Sequence, residues 1–202
     1  MHFASFILAF GAIATVLALP TADVNQPAGP ANTADFEPHN FVDSKGEKRV
    51  VWVAKNFVST EDNQGISKSR DLSGLEKRFR WYEGGNQDKC GGSTFFNRAG
   101  ADSPTEGDCR CVADYARNTL RGYWTFNRSD GKWFNLVWCG NCVFGVGTAN
   151  WFDTPIGNTD VADLTYDTIN RFNWNGHVGG TGDMGCHNGI DMSRVEWNVY
   201  RT

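Results

Sequence analysis

All six cysteines of the chain lie between Cys90 and Cys186, and this clustering limits its fold more than any other feature. Such a set in so short a stretch is typical of a small secreted domain that disulfides hold together. Cys139 and Cys142 form a C-x-x-C pair, but no second pair completes a zinc site. The pair lies in an apolar run that predicts a strand, whereas a redox motif is expected at a helix N-terminus. We therefore predict structural disulfides, with no metal and no cofactor.

The N-terminal region predicts a leader followed by a pro-segment. Residues 3–19 form an uncharged apolar run that Pro20 ends, so we assign residues 1–19 to a signal peptide. A membrane anchor is the alternative, although the run is slightly shorter than a membrane span requires. Residues 20–78 contain no cysteine and begin with a Pro-, Ala- and Asn-rich stretch. This composition predicts a disordered pro-segment.

The pro-segment is predicted to end at the dibasic pair Lys77–Arg78, a typical target of secretory-pathway processing proteases. The pair lies where cysteine-free sequence gives way to cysteine-rich sequence. The alternative is an ordinary surface charge pair, of which Lys48–Arg49 is a second example. Cleavage would leave residues 79–202 as the mature domain, with its core at residues 89–200.

The charge balance limits the classes of partner. The chain carries a net charge of −4 at pH 7, and acidic residues outnumber basic ones in residues 79–202 as well. This balance argues against a nucleic-acid partner, which requires a basic face, and against docking on anionic lipid. No segment after the N-terminal run is long enough to span a membrane. We expect a secreted, extracellular protein that is a monomer and has no membrane span in its mature form.

Local patterns predict two helices and a sheet. Ser103-Pro104-Thr105-Glu106 has the form of a capping box, and the apolar residues that follow it recur at helical spacing as far as Gly122. A second helix is predicted over residues 158–172. Aromatic and β-branched runs predict strands over residues 123–127, 133–138, 143–148, 177–184 and 195–200. This order predicts an α+β domain with a small antiparallel sheet and two helices packed on one face.

Six sequence blocks carry a family resemblance. They are CGGSTFFN (90–97), SPxxxDC (103–109), GNCVFGV (140–146), IGNTDVADL (156–164), VGGTGDMGC (178–186) and VEWNVY (195–200). Together they resemble the fungal extracellular-protein-two effector family, whose domain is also named a "putative necrosis-inducing factor" domain. The resemblance implies a secreted virulence effector that causes or suppresses host cell death. It also implies an α/β sandwich like that of the small viral killer toxins of fungi.

The resemblance also guides a proposal for the disulfides. Four cysteines fall on the family's cysteine positions: Cys90, Cys109, Cys142 and Cys186. Cys111 and Cys139 are additional, and the simplest account is that they bond to each other. Spacing alone does not define how six cysteines pair. We propose the pairs Cys109–Cys142, Cys111–Cys139 and Cys90–Cys186.

Catalytic candidates are few, and none is assigned. The acid–base groups that a secreted ribonuclease would use are His177, His187, Asp183, Arg194 and Glu196. His187 lies in a polar turn, however, and Glu196 lies between two apolar residues and is expected to face solvent. A nucleophile elbow and a phosphate-binding loop are absent from the sequence. Asp160 and Asp163 are better explained as helix N-terminal charges than as a glycosidase pair.

Exposed aromatic residues favour a binding role. All but one of the eight tryptophans lie in residues 79–202, more than a domain of this size buries easily. Trp151 and Trp174 flank the second predicted helix in loop-like sequence, and they are the candidate binding surface for a host or competitor cell-surface protein or glycan. The alternative is that they cap the core. Asn127 begins an N-glycosylation sequon in a predicted surface turn, so it is predicted to carry a glycan.

These observations favour a non-enzymatic effector that acts by binding. Within the same fold, the alternative is a killer-toxin-like antimicrobial protein, because some relatives in the resembled family are attached to chitinases. The alternative from a different class is a small secreted hydrolase such as a ribonuclease.

Overall fold

The computed structural model describes residues 36–54, 80–128, 133–187 and 192–201. Its two helices are α1 (Glu106–Asn118) and α2 (Asn158–Arg171). Its strands are β1 (Phe36–Val42), β2 (Lys48–Ala54), β3 (Arg80–Glu83), β4 (Cys90–Ser93), β5 (Phe96–Asn97), β6 (Gly122–Phe126), β7 (Phe134–Cys139), β8 (Cys142–Thr148), β9 (Thr154–Gly157), β10 (Asn173–Trp174), β11 (His177–Val178), β12 (Gly180–His187) and β13 (Met192–Tyr200).

The strands form one large antiparallel sheet and two smaller ones. The large sheet has the order β1-β2-β7-β8-β13-β12-β4, and β5 also pairs with β12. The second sheet has the order β3-β6-β9, and β10 pairs with β11 in a short hairpin. Helix α1 packs against β2, β7 and β8, and α2 packs against α1. The predicted disulfide-stapled α+β class is therefore confirmed, whereas the second sheet was not predicted.

The N-cap of helix α1 lies two residues after the predicted one. Thr105 is the N-cap, and its hydroxyl accepts a hydrogen bond of 3.2 Å from the backbone N–H of Asp108. The hydroxyl of Ser103 is engaged elsewhere, because it donates to the carbonyl of Arg98 and accepts from the N–H of Gly100. The prediction that Ser103 caps the helix is therefore wrong.

Helix α2 has nearly the predicted range, but Asn158 is not its cap. The cap is Gly157, whose N–H donates to the carboxylate of Asp160 at 2.7 Å. Asn158 is buried, and its amide donates to the carbonyls of Ala116 and Leu120. This contact ties the start of α2 to the end of α1.

The predicted disorder of residues 20–78 is wrong for residues 36–54. Strands β1 and β2 form a hairpin, and β2 pairs with β7 of the cysteine-rich region. The alternating run RVVWVA explains this, because Val51 and Val53 point into the core and are fully buried. The predicted signal peptide and the pair Lys77–Arg78 lie outside the described residues.

All six cysteines are paired. The disulfides are Cys90–Cys186, Cys109–Cys142 and Cys111–Cys139, the three pairs proposed from the family resemblance. The C-x-x-C segment is a tight hairpin turn between β7 and β8, and Gly140 adopts a φ of 57° there. The next residue, Asn141, accepts a hydrogen bond from the N–H of Thr105, so the turn docks on the N-terminus of α1.

Candidate binding cleft

The outer face of the three-stranded sheet carries a pair of stacked tyrosines. Side chains alternate along β3 and β6, so Trp81 and Trp124 face the core while Tyr82 and Tyr123 face outward. The two tyrosine rings have centroids 4.9 Å apart and planes only 11° apart. Both tyrosines are half-buried, so part of the stacked pair is accessible to a ligand.

A cleft of about 760 Å³ lies over this stack. We call it the tyrosine cleft, and it is defined by Tyr82, Asp88, Lys89, Tyr123, Thr125 and Asp153. His187, at the end of β12, lies at its border. The cleft thus combines aromatic faces with carboxylates and an ammonium group.

The segment that forms one wall of the cleft is fixed to the N-terminus of α2. The N–H of Gln87 donates to the side chain of Asn158 at 2.9 Å, and the N–H of Lys89 donates to the carboxylate of Asp160 at 3.0 Å. A Cβ atom at Gly157 would lie only 1.8 Å from the carbonyl oxygen of Gln87, so only glycine permits this approach. As a result, the ammonium group of Lys89 lies 4.5 Å from the centre of the Tyr123 ring.

Burial changes the protonation of groups around the cleft. Burial, together with a hydrogen bond to Asp88, raises the pKa of Asp160 to about 7 and outweighs the lowering effect of the backbone N–H donors. Burial likewise raises the pKa of Tyr123, as does the adjacent Tyr82. Asp88 itself is exposed. The wall therefore contains a carboxyl group that takes up a proton near neutral pH.

The floor of the cleft contains a hydroxyl group without a partner. Thr125 is only 8% exposed, and its Oγ1 has no hydrogen-bond partner among the described residues. Buried polar atoms of this kind are uncommon and call for an explanation. A ligand or an ordered water in the cleft would supply the missing partner.

Of the two tryptophans predicted to bind, Trp151 is the one close in sequence to a residue of the tyrosine cleft. It is 70% exposed, and the guanidinium group of Arg128 lies 5.0 Å from its ring centre. It precedes the cleft residue Asp153 by two positions, and Phe152 between them is also exposed. Trp151 and Phe152 are therefore exposed aromatic residues directly before the cleft residue Asp153 in the chain.

Trp174 is exposed too, but it lies at the other end of α2. Its ring centre is 6.5 Å from that of His177, in the β10–β11 hairpin. Trp151 precedes β9 and α2 in the chain, whereas Trp174 follows α2. The two tryptophans have different neighbours, Arg128 for Trp151 and His177 for Trp174.

The prediction of an exposed glycosylation site at Asn127 is wrong. The residue is only 5% exposed, and its Nδ2 donates to the carboxylate of Asp153 at 2.9 Å. The nitrogen that would carry the glycan is thus engaged within the fold. Asn127 was predicted to lie in a surface turn. It directly follows β6, which pairs with β9, and it is buried there.

The structure does not assemble the ribonuclease-like set of acid–base groups. His177 lies on β11 and His187 at the far end of β12, and the Nδ1 of His177 is 2.8 Å from the carbonyl oxygen of Ser103. Asp183 forms an ion pair of 3.0 Å with Arg194, and Glu196 lies opposite Asp183 on β13. Only His187 of this set borders the cleft.

Asp160 and Asp163 do not form a catalytic pair either. Asp160 is buried and accepts hydrogen bonds at the start of α2, as predicted for a helix N-terminal charge. Asp163 is exposed and forms an ion pair with Arg117. The two carboxyl groups therefore lie in different environments, one inside the fold and one on the surface.

The cleft residues Tyr82, Lys89 and Tyr123 were not predicted from the sequence. The available signal was the paired aromatics in RWYE and GYWTF, where each tryptophan has a tyrosine beside it. In a strand, such neighbours face opposite sides, so one side of the sheet had to be aromatic and outward.

Two negative findings apply to the residues that the structure describes. Within those ranges, no group of three or more His, Cys, Asp and Glu side chains has an arrangement that could hold a metal ion. No helix in the same ranges is long and apolar enough to cross a membrane.

The fold defines a small, disulfide-stapled α+β domain, and a comparison with protein families assigns it. Residues 89–186, just under half of the chain, match the family described as "Pathogen effector; putative necrosis-inducing factor". The match confirms the predicted resemblance to that effector family over this part of the chain. The three disulfides are consistent with an oxidising, extracellular compartment.

A curated relative shares part of the chain. It is a protein of Penicillium expansum named "Probable chitinase LysM18", and it is 30% identical over 115 residues. The matched segment is 55% of this chain but only 8% of that protein. The chain therefore spans a small part of the relative's length.

Proposed function

We propose that this protein is a secreted effector that binds an extracellular target through the tyrosine cleft and Trp151, without catalysing a reaction. The observation that carries the proposal is the stacked pair of Tyr82 and Tyr123 within a cleft that also presents charged groups. Aromatic faces beside hydrogen-bonding groups are typical of binding surfaces, where tyrosine, tryptophan and arginine contribute most of the affinity. The domain is proposed to act as a monomer.

The proposed target is a glycan or a glycan-bearing protein on a host or competitor cell. A sugar ring has an apolar face that packs on an aromatic ring and hydroxyl groups that bond to carboxylates. The tyrosine stack would supply the aromatic ring, and Asp88 and Asp153 would supply the carboxylates. The name of the Penicillium relative makes oligomers of N-acetylglucosamine the first ligand to test. The same relative favours a second candidate function, a killer-toxin-like antimicrobial action on fungal cells that expose such glycans.

Binding of N-acetylglucosamine oligomers and of a glycan array to purified protein tests the proposal. Tyr123→Ala and Trp151→Ala should each weaken binding at least about tenfold, because each removes an aromatic contact at the ligand. Trp174→Ala is the matched control, since it removes an exposed indole at the far end of α2. Equal affinity of all three variants and the wild type for a bound glycan would contradict the proposed site.

Three activity assays distinguish the candidate functions. Infiltration into plant tissue tests the effector, a fungal growth assay tests the antimicrobial protein, and an RNA-cleavage assay tests the hydrolase. A cell-death response or a growth effect that Tyr123→Ala abolishes would support the corresponding binding function. RNA cleavage that His187→Ala abolishes would contradict a non-catalytic role.

A further inference from the structure

The β1–β2 hairpin lies outside the family match, yet it completes the core of the matched domain. Val51 and Val53 are fully buried in the same apolar cluster as Val112 and Tyr115 of α1. Strand β2 pairs with β7 through three residue pairs, from Val51 opposite Cys139 to Val53 opposite Val137. Without the hairpin, β7 would be an unpaired edge of the large sheet.

The hairpin also covers the aromatic face of α1. Tyr115 is almost fully buried, and its ring packs against Phe41 at 5.4 Å and against His39 at 5.8 Å. Phe36 makes an edge-on contact with Trp138 on β7, with ring centres 6.2 Å apart. Removal of the hairpin would expose a continuous apolar surface on α1 and β7.

Polar contacts fix the hairpin at the start of α1. The guanidinium group of Arg49 lies 3.3 Å from the carboxylate of Asp108, which in turn accepts a hydrogen bond from the turn residue Asn141. The backbone N–H of Ser44 donates to the carboxylate of Asp114 at 3.3 Å. The surface that the hairpin occupies is therefore matched to it in charge as well as in apolar shape.

No covalent link other than the chain itself holds the hairpin. All three disulfides lie within residues 90–186, and the dibasic pair Lys77–Arg78 lies between the hairpin and the first of these cysteines. A cut after Arg78 would leave the hairpin attached by non-covalent contacts alone.

We propose that the face formed by β7 and α1 is a strand-binding site whose ligand is the hairpin of residues 36–54, so that cleavage after Arg78 yields a two-chain protein. The N-terminal chain stays bound because its valines complete the core and its arginine neutralises Asp108. Processing would then change the covalent structure of the effector without releasing the mature domain.

Cleavage of the purified full chain with a dibasic-specific endoprotease tests this proposal. Denaturing mass spectrometry verifies the cut after Arg78. Lys48–Arg49 should resist the protease, because it lies in β2 and Arg49 is held by three carboxylates. Native mass spectrometry and size-exclusion chromatography should then show both fragments as one complex that separates only in denaturant. Separate elution of the fragments, with the far-UV circular dichroism of the domain unchanged, would overturn the proposal.

Hairpin variants show which contacts hold the two chains together. In the cleaved protein, Val51→Ala with Val53→Ala should speed dissociation of the N-terminal chain at least about tenfold. Arg49→Gln leaves the core intact and should give a smaller increase in the dissociation rate. It therefore provides the test if the double variant does not fold. Val42→Ala is the control, because Val42 lies on the same hairpin but is 59% exposed. Equal dissociation rates for Arg49→Gln, Val42→Ala and the wild type would contradict the proposed polar contact.

Discussion

Asp160 combines two opposing influences on a single carboxyl group. It accepts hydrogen bonds from the backbone N–H groups of Gly157 and Lys89, which favour its charged form, yet it is almost fully buried next to Asp88. Burial prevails and raises its pKa to about 7. The residue that holds the wall of the tyrosine cleft therefore changes charge in the range between acidic and neutral media.

This shift predicts how stability depends on pH. Because the pKa of Asp160 is higher in the folded than in the unfolded state, the folded state binds more protons between about pH 4 and about pH 7. The contribution of Asp160 to the free energy of unfolding is therefore largest below about pH 4. It falls as the pH rises through this range and levels off above about pH 7. Urea denaturation at pH 4.5, 6 and 8 measures this slope.

Asp160→Asn should flatten that pH dependence, because the amide cannot ionise but can still accept the backbone hydrogen bonds. The control is Asp163→Asn, since Asp163 is on the surface and its ion pair with Arg117 contributes at most about 1 kcal/mol. An unchanged slope in Asp160→Asn would mean that Asp160 does not cause the dependence.

At the scale of secondary structure, Thr105 decides where α1 begins. Its hydroxyl is the acceptor that satisfies the N–H of Asp108 in the first turn. Thr105→Ala should lower the free energy of unfolding by about 1 kcal/mol, whereas Thr105→Ser retains the acceptor and should cost only a few tenths. Thermal or urea denaturation of the two variants measures the difference. Equal stabilities would mean that the hydroxyl of residue 105 does not stabilise the start of α1.

The helices could be predicted from the sequence because their signals are local. A hydroxyl near Pro104, acidic residues in the first turn and apolar residues at helical spacing placed α1 within a few residues of its observed range. The cap was wrong because Ser103 and Thr105 are both good caps, and only the contact of Ser103 with Arg98 decides between them. That contact is not visible in the local sequence.

The hairpin and the cleft could not be predicted in the same way. Val51 and Val53 had the alternation of a strand, but the local sequence does not show that their strand pairs with β7. Tyr82 and Tyr123 stack because β3 and β6 pair in a particular register. Such features depend on which segments meet, and pairing between distant strands is set by the whole fold rather than by any one stretch.

At the scale of the whole molecule, the disulfides divide into two kinds. Cys109–Cys142 and Cys111–Cys139 both tie α1 to the turn between β7 and β8, and they span 33 and 28 residues. Cys90–Cys186 joins β4 to β12 and spans 96 residues. The first two constrain nearly the same loop of the unfolded chain, whereas the third constrains a much larger one.

Removal of Cys90–Cys186 by a double Cys→Ala change should therefore lower the free energy of unfolding most, by about 4–5 kcal/mol. Removal of Cys111–Cys139 should cost clearly less, because Cys109–Cys142 still closes the same loop. Guanidinium denaturation of the two double variants gives the comparison. A larger loss without Cys111–Cys139 would indicate that packing around this bond, rather than chain entropy, dominates its effect.

The uneven burial of the indole rings has a consequence for spectroscopy. Trp124 and Trp197 are sealed in the core, whereas Trp151 is 70% exposed and meets water on most of its surface. Its emission should lie at longer wavelength than theirs and should be quenched first by iodide or acrylamide. A ligand that covers this ring would protect it from the quencher and shift the emission to shorter wavelength. The domain thus contains its own optical reporter two residues before the cleft residue Asp153.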